Sequence, residues 1–259
     1  MELELGGLNA LVTGASRGIG LAVAQGLAHE GCNLHLAART AVDLEAARAK
    51  IAERSKATVT CHALDLSDPA GVAQLAARCA DVDILVNNAG GIPAGRLLRL
   101  DGARWRKAWD LKVFGYIDLT REIYARMRER RRGVIVNIIG LAGERLRADY
   151  IAGTTGNAAL MAFTRALGGE SVDFGVRVVG VNPGQIDTDR MRKGLETKAE
   201  KTLGDRKRWL ELVKNPPMGR LGRPEEIGDV VVFLASARAS FVSGTIVTVD
   251  AGRAVRNTD

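Results

Sequence analysis

The stretch Val12-Thr13-Gly14-Ala15-Ser16-Arg17-Gly18-Ile19-Gly20 decides the fold of this chain. It follows a short apolar run that begins at Asn9 and leads into an amphipathic run from Leu21 to Leu27. This order predicts a strand, a tight glycine turn and a helix. Glycines let the backbone turn sharply and approach a ligand closely, and the N-terminus of a helix favours a phosphate group. At the first strand–helix junction this pattern indicates a dinucleotide site, and a glycine turn without a ligand is the alternative.

Length and composition are those of one large globular domain. The chain has 259 residues, of which 46% are hydrophobic, and this size suits one α/β domain better than two small ones. No apolar run approaches the ~20 residues that cross a bilayer, and the N-terminus does not resemble a signal peptide. We therefore expect a cytoplasmic protein without a membrane partner.

The cysteines and the net charge bound the function further. Cys32, Cys61 and Cys79 are odd in number and lie in strand-like or helix-like segments. They predict buried thiols rather than disulfides or metal ligands, and we expect no metal site. The formal charge of +7 fits an arginine-rich surface, and because no DNA-reading motif is present we expect no nucleic-acid partner.

Strand-like and helix-like runs alternate along the whole chain. We predict strands at 9–12, 31–38, 58–64, 82–86, 133–139, 176–181 and 245–249. After the first helix, we predict helices at 42–54, 69–80, 101–130, 154–171 and 224–234. Strict alternation implies a parallel sheet that is covered on both faces. The sequence thus predicts a single domain over residues 1–259 with a doubly wound α/β fold and a seven-stranded parallel sheet, and a long polar insertion at 185–217.

The end of the second predicted strand distinguishes two nicotinamide cofactors. An NAD site usually places an acidic residue there, which binds the ribose hydroxyls. This chain has Ala38 followed by Arg39. A guanidinium pairs well with a 2′-phosphate, and Arg17 in the glycine turn could add a second one. We therefore favour NADP(H) over NAD(H), and a solvated loop arginine is the alternative interpretation of Arg39.

Short motifs spaced along nearly the whole chain point to one family. They are Thr13 to Gly20, Asp65-Leu66, Asn87-Asn88-Ala89-Gly90, Val181 to Thr188, Gly222 to Ile227, Ser243-Gly244 and Asp250-Ala251-Gly252. Together, in this order and at this spacing, they resemble the motifs of the short-chain dehydrogenase/reductase family. The resemblance implies a Rossmann-type fold, a nicotinamide cofactor and oxidoreduction of a carbonyl or alcohol substrate.

The resemblance also implies which residues bind the cofactor. Asp65 would hydrogen-bond the adenine beside the Leu66 backbone, residues 88–90 would lie against the adenosine ribose, and residues 183–188 would surround the nicotinamide. With Arg39 and with Asn157, which can hydrogen-bond a ribose, the predicted set is Gly14, Ser16, Arg17, Gly18, Ile19, Gly20, Arg39, Asp65, Leu66, Asn88, Ala89, Gly90, Asn157, Pro183, Gly184, Ile186 and Thr188.

The family's catalytic residues are missing at the matching positions. The positions of its Asn, Ser, Tyr and Lys fall on Lys112, Gly140, Gly153 and Asn157. Tyr150 lies three residues before Gly153, and making it the family tyrosine requires a deletion before the helix and an insertion within it. We predict Lys112 and Tyr150 as catalytic groups, because a buried ammonium can act as a general acid or assist a phenol. The alternative is that Lys112 contacts a strand-end carbonyl.

The insertion at 185–217 resembles the family's substrate lid. It carries more cations than anions, and Arg145 and Arg147 lie in another loop that faces the site. This charge predicts an anionic substrate, such as a carboxylate or an acyl thioester of coenzyme A, with a solvated lid helix as the alternative. The resemblance implies a homotetramer or a dimer. Because the catalytic residues differ, a cofactor-binding protein without turnover and a non-redox enzyme remain alternative functions.

Overall fold

The chain alternates strands and helices from its first element to its last. The computed structural model describes residues 2–213 and 215–256; Met1, Lys214 and residues 257–259, which the predicted domain includes, lie outside the described residues. The strands are β1 (Asn9–Thr13), β2 (Asn33–Ala38), β3 (Val59–Ala63), β4 (Ile84–Asn87), β5 (Gly133–Ile138), β6 (Val176–Pro183) and β7 (Ile246–Val249). The helices are α1 (Gly18–His29), α2 (Ala41–Ala52), α3 (Pro69–Arg78), α4 (Gly102–Trp109), α5 (Gly115–Glu129), α6 (Ile151–Glu170), α7 (Asp189–Leu203) and α8 (Pro224–Ala235).

One parallel sheet organises these elements. Within the described residues it has seven strands in the order β3-β2-β1-β4-β5-β6-β7, and every neighbouring pair is parallel. The predicted doubly wound α/β fold with a seven-stranded parallel sheet is confirmed. The chain order reverses between β1 and β4, and such a switch point opens a crevice at the carboxyl ends of the strands.

Two apolar layers fix the sheet between helices. On one face, side chains of α1, α2 and α8 such as Val23, Leu44 and Val231 are buried against the strands. On the other face, Leu75 of α3 and Ile123 of α5 are buried in the same way. Because both faces of the sheet are covered, most of its strand residues are apolar. Across the part of the chain that the structure describes, no helix is long and apolar enough to cross a membrane.

Two predicted helix boundaries were wrong. The helix predicted for 101–130 is interrupted by a π turn at Asp110–Phe114, where the Gly115 N–H donates to the Asp110 carbonyl. The helix predicted to begin at Thr154 begins at Ile151, with Thr154 N donating to Tyr150 O at 2.9 Å. Gly153 lowers the helix propensity of this first turn, so the sequence favoured a later start.

The polar insertion at 185–217 is structured wherever it is described. It contains α7, whose first turn is capped by Thr188 Oγ1 accepting from Met191 N at 3.2 Å, followed by a 3₁₀ segment at Arg206–Leu212. Helix α7 is mostly exposed, with Ala199 as its buried residue. The insertion predicted as a substrate lid therefore begins with an exposed helix, and its role as a lid stays a prediction.

Candidate active site

The glycine turn after β1 is tied to the loop after β4. Gly14 and Gly18 have φ values of +63° and +56°, a backbone conformation that favours glycine. Thr13 Oγ1 accepts from Asn88 N at 2.8 Å and from Ala89 N at 3.0 Å. A Cβ atom on Gly20 would lie 2.3 Å from the Gly14 carbonyl oxygen, so this glycine allows α1 to sit directly on the turn. The two loops form one rigid floor at the switch point.

A cleft of about 420 Å³ opens above this floor. The predicted cofactor residues that line it are Gly14, Ser16, Arg17, Gly18, Ile19, Arg39, Leu66, Asn88, Ala89, Gly90 and Thr188. Other predicted site residues, all in the described part of the chain, do not line it; they are Gly20, Asp65, Lys112, Tyr150, Asn157, Pro183, Gly184 and Ile186. Many of the motif residues therefore converge on one cleft, and the predicted catalytic residues Lys112 and Tyr150 lie outside its lining.

Several predicted cofactor residues outside the lining have clear structural roles. Asp65 follows β3, and its Oδ1 accepts from Ser67 N at 3.0 Å and from Ser67 Oγ at 2.8 Å. The Ser67 backbone N–H is the main cause that lowers the pKa of Asp65. The Ile186 side chain is buried, and a Cβ atom on Gly222 would lie 2.7 Å from its Cδ1. The Ile186 side chain therefore packs against Gly222 and lines a cavity other than this cleft.

Arginines stand at the end of the cleft that is next to β2. Arg39 follows β2 and Arg17 precedes α1, and both side chains are exposed. Arg17 makes no side-chain cap to α1, so the first N–H groups of this helix remain open to an anion. Asp43 in the first turn of α2 also lines the cleft and offsets part of the positive charge.

Lys112 lies in the π turn between α4 and α5 and is 8% exposed. Its Nζ donates to the Ile138 carbonyl oxygen at 2.6 Å and to the Tyr116 hydroxyl at 2.9 Å. The Tyr116 hydroxyl in turn donates to Ile138 O at 3.1 Å. Burial, helped by the charge of Arg190, lowers the pKa of Lys112 to about 7. Because Ile138 ends β5, this is the strand-end contact that the alternative interpretation of Lys112 described.

Sequence reasoning missed Tyr116. No motif marks this residue, but it lies four positions after Lys112, and residues at this spacing share one face of a helix. Its hydroxyl and Lys112 Nζ bind the same carbonyl oxygen. Burial raises the pKa of Tyr116 well above its usual range, so it is a fixed neutral donor. The spacing was the available signal.

Tyr150 lies directly before α6, and its ring covers Gly153. A Cβ atom on Gly153 would lie 2.0 Å from Tyr150 Cε1 and 2.1 Å from Cζ. The ring therefore fills the space that any side chain at position 153 would need. Helix α6 runs unbroken from Ile151 to Glu170, so no insertion distorts it. Burial raises the pKa of Tyr150, while the charges of Arg190 and Arg147 lower it to a smaller extent.

Gly140 and Asn157 are bonded to each other. The Asn157 Nδ2 group donates to the Gly140 carbonyl oxygen at 3.3 Å, and Asn157 is 5% exposed. Gly140 has φ +133°, and a Cβ atom on it would lie 3.0 Å from Asn157 Nδ2. A serine at 140 would be strained, so glycine here is required by the backbone.

Arg190, at the start of α7, connects this helix to the loop after β4. Its guanidinium donates to the carbonyl oxygens of Gly90 and Ile92, and the residue lines the cleft. Its charge lowers the pKa of both Lys112 and Tyr150. The sequence indicated Arg190 only as one of several lid cations.

Comparisons with known proteins agree with this geometry. A family model described as "Enoyl-(Acyl carrier protein) reductase" matches residues 14–254. A solved short chain dehydrogenase/reductase family protein is 37% identical, with a TM-score of 0.85 over 99% of this chain and 100% of that one. This chain belongs to the short-chain dehydrogenase/reductase family. The resemblance is confirmed, and with it the oxidoreductase class of the protein.

Other members of the short-chain dehydrogenase/reductase family are similar over nearly the full length. Acetoacetyl-CoA reductase of Shinella zoogloeoides is 32% identical over 251 residues, which is 94% of this chain and 97% of the relative. Galactitol 2-dehydrogenase of Cereibacter sphaeroides is 34% identical over 260 residues, 97% of each chain. L-Sorbose reductase of Gluconobacter frateurii, solved with NADPH and L-sorbose, is 31% identical with a TM-score of 0.92, over 99% of this chain and 100% of that one.

Proposed function

We propose that this short-chain dehydrogenase/reductase reduces a carbonyl substrate with NADPH and that Tyr150 supplies the proton. The observation that carries the proposal is the position of the Tyr150 ring, which lies 2.0 Å from where a Gly153 Cβ atom would be. The family resemblance assigns the tyrosine to position 153. The phenol of Tyr150, the residue directly before α6, therefore reaches the first turn of this helix. The glycine at position 153 makes room for its ring.

The protonation state of Tyr150 favours reduction over oxidation. Burial raises the pKa of the phenol, so it carries its proton at neutral pH. NADPH, when bound, supplies the hydride to the carbonyl carbon. The Tyr150 hydroxyl gives its proton to the carbonyl oxygen, and the phenolate regains a proton from solvent. Alcohol oxidation needs the phenolate at the start, so we expect oxidation to become faster as the pH rises towards and above the phenol's ordinary value.

Lys112 acts in this proposal through position. Its Nζ is shared between the Ile138 carbonyl oxygen and the Tyr116 hydroxyl, and Ile138 lies two residues before Gly140. A Cβ atom on Gly90 would lie 2.5 Å from Lys112 Cδ, so the lysine stem also supports the loop after β4. We propose that Lys112 holds the end of β5 and the floor of the cleft in register, while its charge adds to that of Arg190.

The preference for NADP(H) rests on Arg39 and Arg17. Both guanidiniums lie at the end of the cleft next to β2. An acidic residue at the end of β2 would repel a 2′-phosphate, but this position is Ala38. The similar L-sorbose reductase is an NADPH complex, which supports the same choice. The open N-terminus of α1 and the close glycine approach suit the pyrophosphate of either dinucleotide.

Substrate and assembly extend the proposal. Arg147 and Arg190 place positive charge near Tyr150, which supports an anionic substrate. Phe114, 49% exposed, lies where α4 and α5 meet, and Phe241, fully exposed, precedes β7. The family resemblance implies interfaces formed by the helical stretches predicted at 101–130 and 154–171 and by the last strand. The two exposed rings lie in or next to these elements, which supports a homotetramer or a dimer. We also propose that the protein acts in the cytoplasm.

The experiment is a fluorescence titration with NADPH and NADH, followed on the same sample by turnover with a panel of carbonyl substrates. For Tyr150→Phe we expect a fall in kcat of about 10²–10⁴-fold with an unchanged NADPH Kd. The matched control is Tyr124→Phe, since the Tyr124 hydroxyl is buried without a hydrogen-bond partner and its loss should leave turnover unchanged.

Other outcomes refute the proposal in distinguishable ways. NADPH binding without turnover on any substrate favours a cofactor-binding protein with a regulatory or scaffolding role. The glycines at positions 140 and 153, which replace the family's serine and tyrosine, would then account for the lack of turnover. Turnover that survives Tyr150→Phe assigns the proton to another group. Failure to bind either nucleotide removes the redox function altogether.

A further inference from the structure

Two histidines and a cysteine meet at the outer part of the sheet, apart from the groups used in the proposed reaction. His35 lies on β2, His62 lies on β3, and Cys79 ends α3. His35 Nδ1 is 2.9 Å from His62 Nε2, and Cys79 Sγ is 3.8 Å from the same Nε2. All three donor atoms lie within 4.8 Å of one another.

Strand pairing brings these residues together. His35 is opposite Thr60 in the parallel β2–β3 pair, so His62 lies two residues further on and points to the same face of the sheet. The C-terminal end of α3 covers this face and places Cys79 above the two rings, which are stacked with centroids 5.2 Å apart. His62 is 4% exposed and Cys79 is fully buried, whereas His35 is partly exposed. The cluster is thus reached from the surface along the His35 ring.

We propose that His35, His62 and Cys79 form a binding site for a zinc ion, with water as the fourth ligand. Neutral imidazole nitrogen and thiolate sulfur are the usual donors for zinc, at about 2.0–2.1 Å and about 2.3 Å respectively. Bonds of these lengths can span the separations from His62 Nε2, which are 2.9 Å to His35 Nδ1 and 3.8 Å to Cys79 Sγ. In a tetrahedral site a zinc-bound nitrogen and sulfur lie about 3.6 Å apart. The third pair of donor atoms lies within 4.8 Å, so it closes with a shift of at most about 1.2 Å.

The protonation of the cluster suits a cation. A nitrogen–nitrogen hydrogen bond requires one ring to accept, so at least one imidazole presents a lone pair. Zinc binding forms two N–Zn bonds, one S–Zn bond and one O–Zn bond to water. The Cys79 thiol proton goes to solvent, and the imidazole that donated the hydrogen bond takes the tautomer with its proton on the other ring nitrogen. No electron is transferred. This proposal for Cys79 departs from the sequence-based expectation that the cysteines are not metal ligands. The alternative to a zinc site is a metal-free triad held together by hydrogen bonds.

The test uses the full-length protein with any affinity tag removed and Co²⁺ as a spectroscopic probe for the zinc site. We expect one equivalent of Co²⁺ to give a thiolate-to-cobalt charge-transfer band in the near ultraviolet together with the visible bands of a tetrahedral ion, and Zn²⁺ to abolish both by displacement. Cys79→Ser should remove the charge-transfer band. The matched control is Cys32→Ser, because Cys32 is equally buried but its thiol donates to Leu5 O at 3.4 Å, and this variant should keep the full spectrum.

Thermal unfolding with and without Zn²⁺ provides a second readout. Zinc should raise the Tm of the native protein and of Cys32→Ser, and should leave that of His62→Gln and Cys79→Ser unchanged. Absence of the charge-transfer band in the native protein, or its persistence in Cys79→Ser, overturns the proposal in favour of the metal-free triad. Neither readout involves turnover, so its failure is distinct from failure of the proposed reductase activity.

Discussion

Replacing Gly153 with alanine tests the placement of the Tyr150 ring most directly. The new Cβ atom would lie 2.0 Å from Tyr150 Cε1 and 2.1 Å from Cζ, whereas carbon atoms in contact are about 3.5–4.0 Å apart. The ring must therefore move by roughly 1.5 Å. A misplacement of about 1 Å in a reacting group can cost 10²-fold in rate. We expect kcat/KM for carbonyl reduction to fall by about 100-fold or more, which is about 2.7 kcal/mol.

The stability of Gly153→Ala should change far less than its activity. Overpacking costs about 1–3 kcal/mol, and alanine recovers up to about 1 kcal/mol of helix propensity relative to glycine. The matched control is Gly169→Ala in the same helix, where a Cβ atom would meet nothing within 4 Å. That variant should gain up to about 1 kcal/mol and keep its kinetics. Loss of NADPH absorbance and urea unfolding measure the two quantities.

A double variant shows whether alanine acts through the phenol. If Gly153→Ala works by moving the Tyr150 hydroxyl, then adding it to Tyr150→Phe should cause little further loss, since the two changes remove the same group. Full multiplication of the two rate losses would mean that Gly153 serves some other purpose. Wild-type turnover in Gly153→Ala would refute the reasoning outright.

Three other changes probe the lysine, the cofactor and the glycine loop. The pKa of Lys112 falls from 10.5 to about 7 on folding, and each pKa unit corresponds to about 1.36 kcal/mol. Between these two pH values the unfolded chain binds more protons than the folded chain. The contribution of Lys112 to stability therefore rises with pH. Relative to Lys112→Met, the free energy of unfolding of the wild type in urea should rise by up to about 4 kcal/mol between pH 7 and pH 10, and parallel pH profiles of the two proteins would contradict it. Arg39→Ala should weaken NADPH binding by roughly 10–100-fold in a fluorescence titration and leave NADH unchanged, and equal losses for both nucleotides would assign Arg39 no part in the choice. Gly140→Ser should lose about 1–3 kcal/mol from its strained backbone without gaining activity, so an active variant of unchanged Tm would contradict the glycine requirement.

The sequence predicted the fold well because its signals are local. Each apolar run and the glycine turn at Gly14 to Gly20 specify structure over a few residues, and their alternation leaves little choice of topology. The π turn at Asp110–Phe114 could not be predicted in this way. It coincides with a tertiary contact, in which Lys112 Nζ donates to the carbonyl oxygen of Ile138 on β5.

The site was predicted only where motifs mark it. Counting positions showed that Gly153 replaces the family tyrosine, but counting could not show that the Tyr150 ring leans over Gly153 to fill the same space. That result depends on side-chain reach, which a sequence register does not contain. His35, His62 and Cys79 were missed for a related reason: their proximity arises from strand pairing and helix packing rather than from a spacing typical of metal ligands.

The π turn between α4 and α5 also has a consequence for how this pocket can diverge. Each residue turns a helix by about 100°. The extra residue in the π turn Asp110–Phe114 therefore determines how the side chains of α5 are rotated about the helix axis relative to those of α4. Upstream, Trp109 Nε1 anchors α4 to the Ala152 carbonyl oxygen at 3.0 Å; downstream, Leu119 anchors α5 to the sheet. With both ends held, deleting one residue would restore regular winding and carry Lys112 away from the Ile138 carbonyl oxygen. Length changes of a single residue can therefore exchange the group that meets the end of β5 while both anchors stay in place.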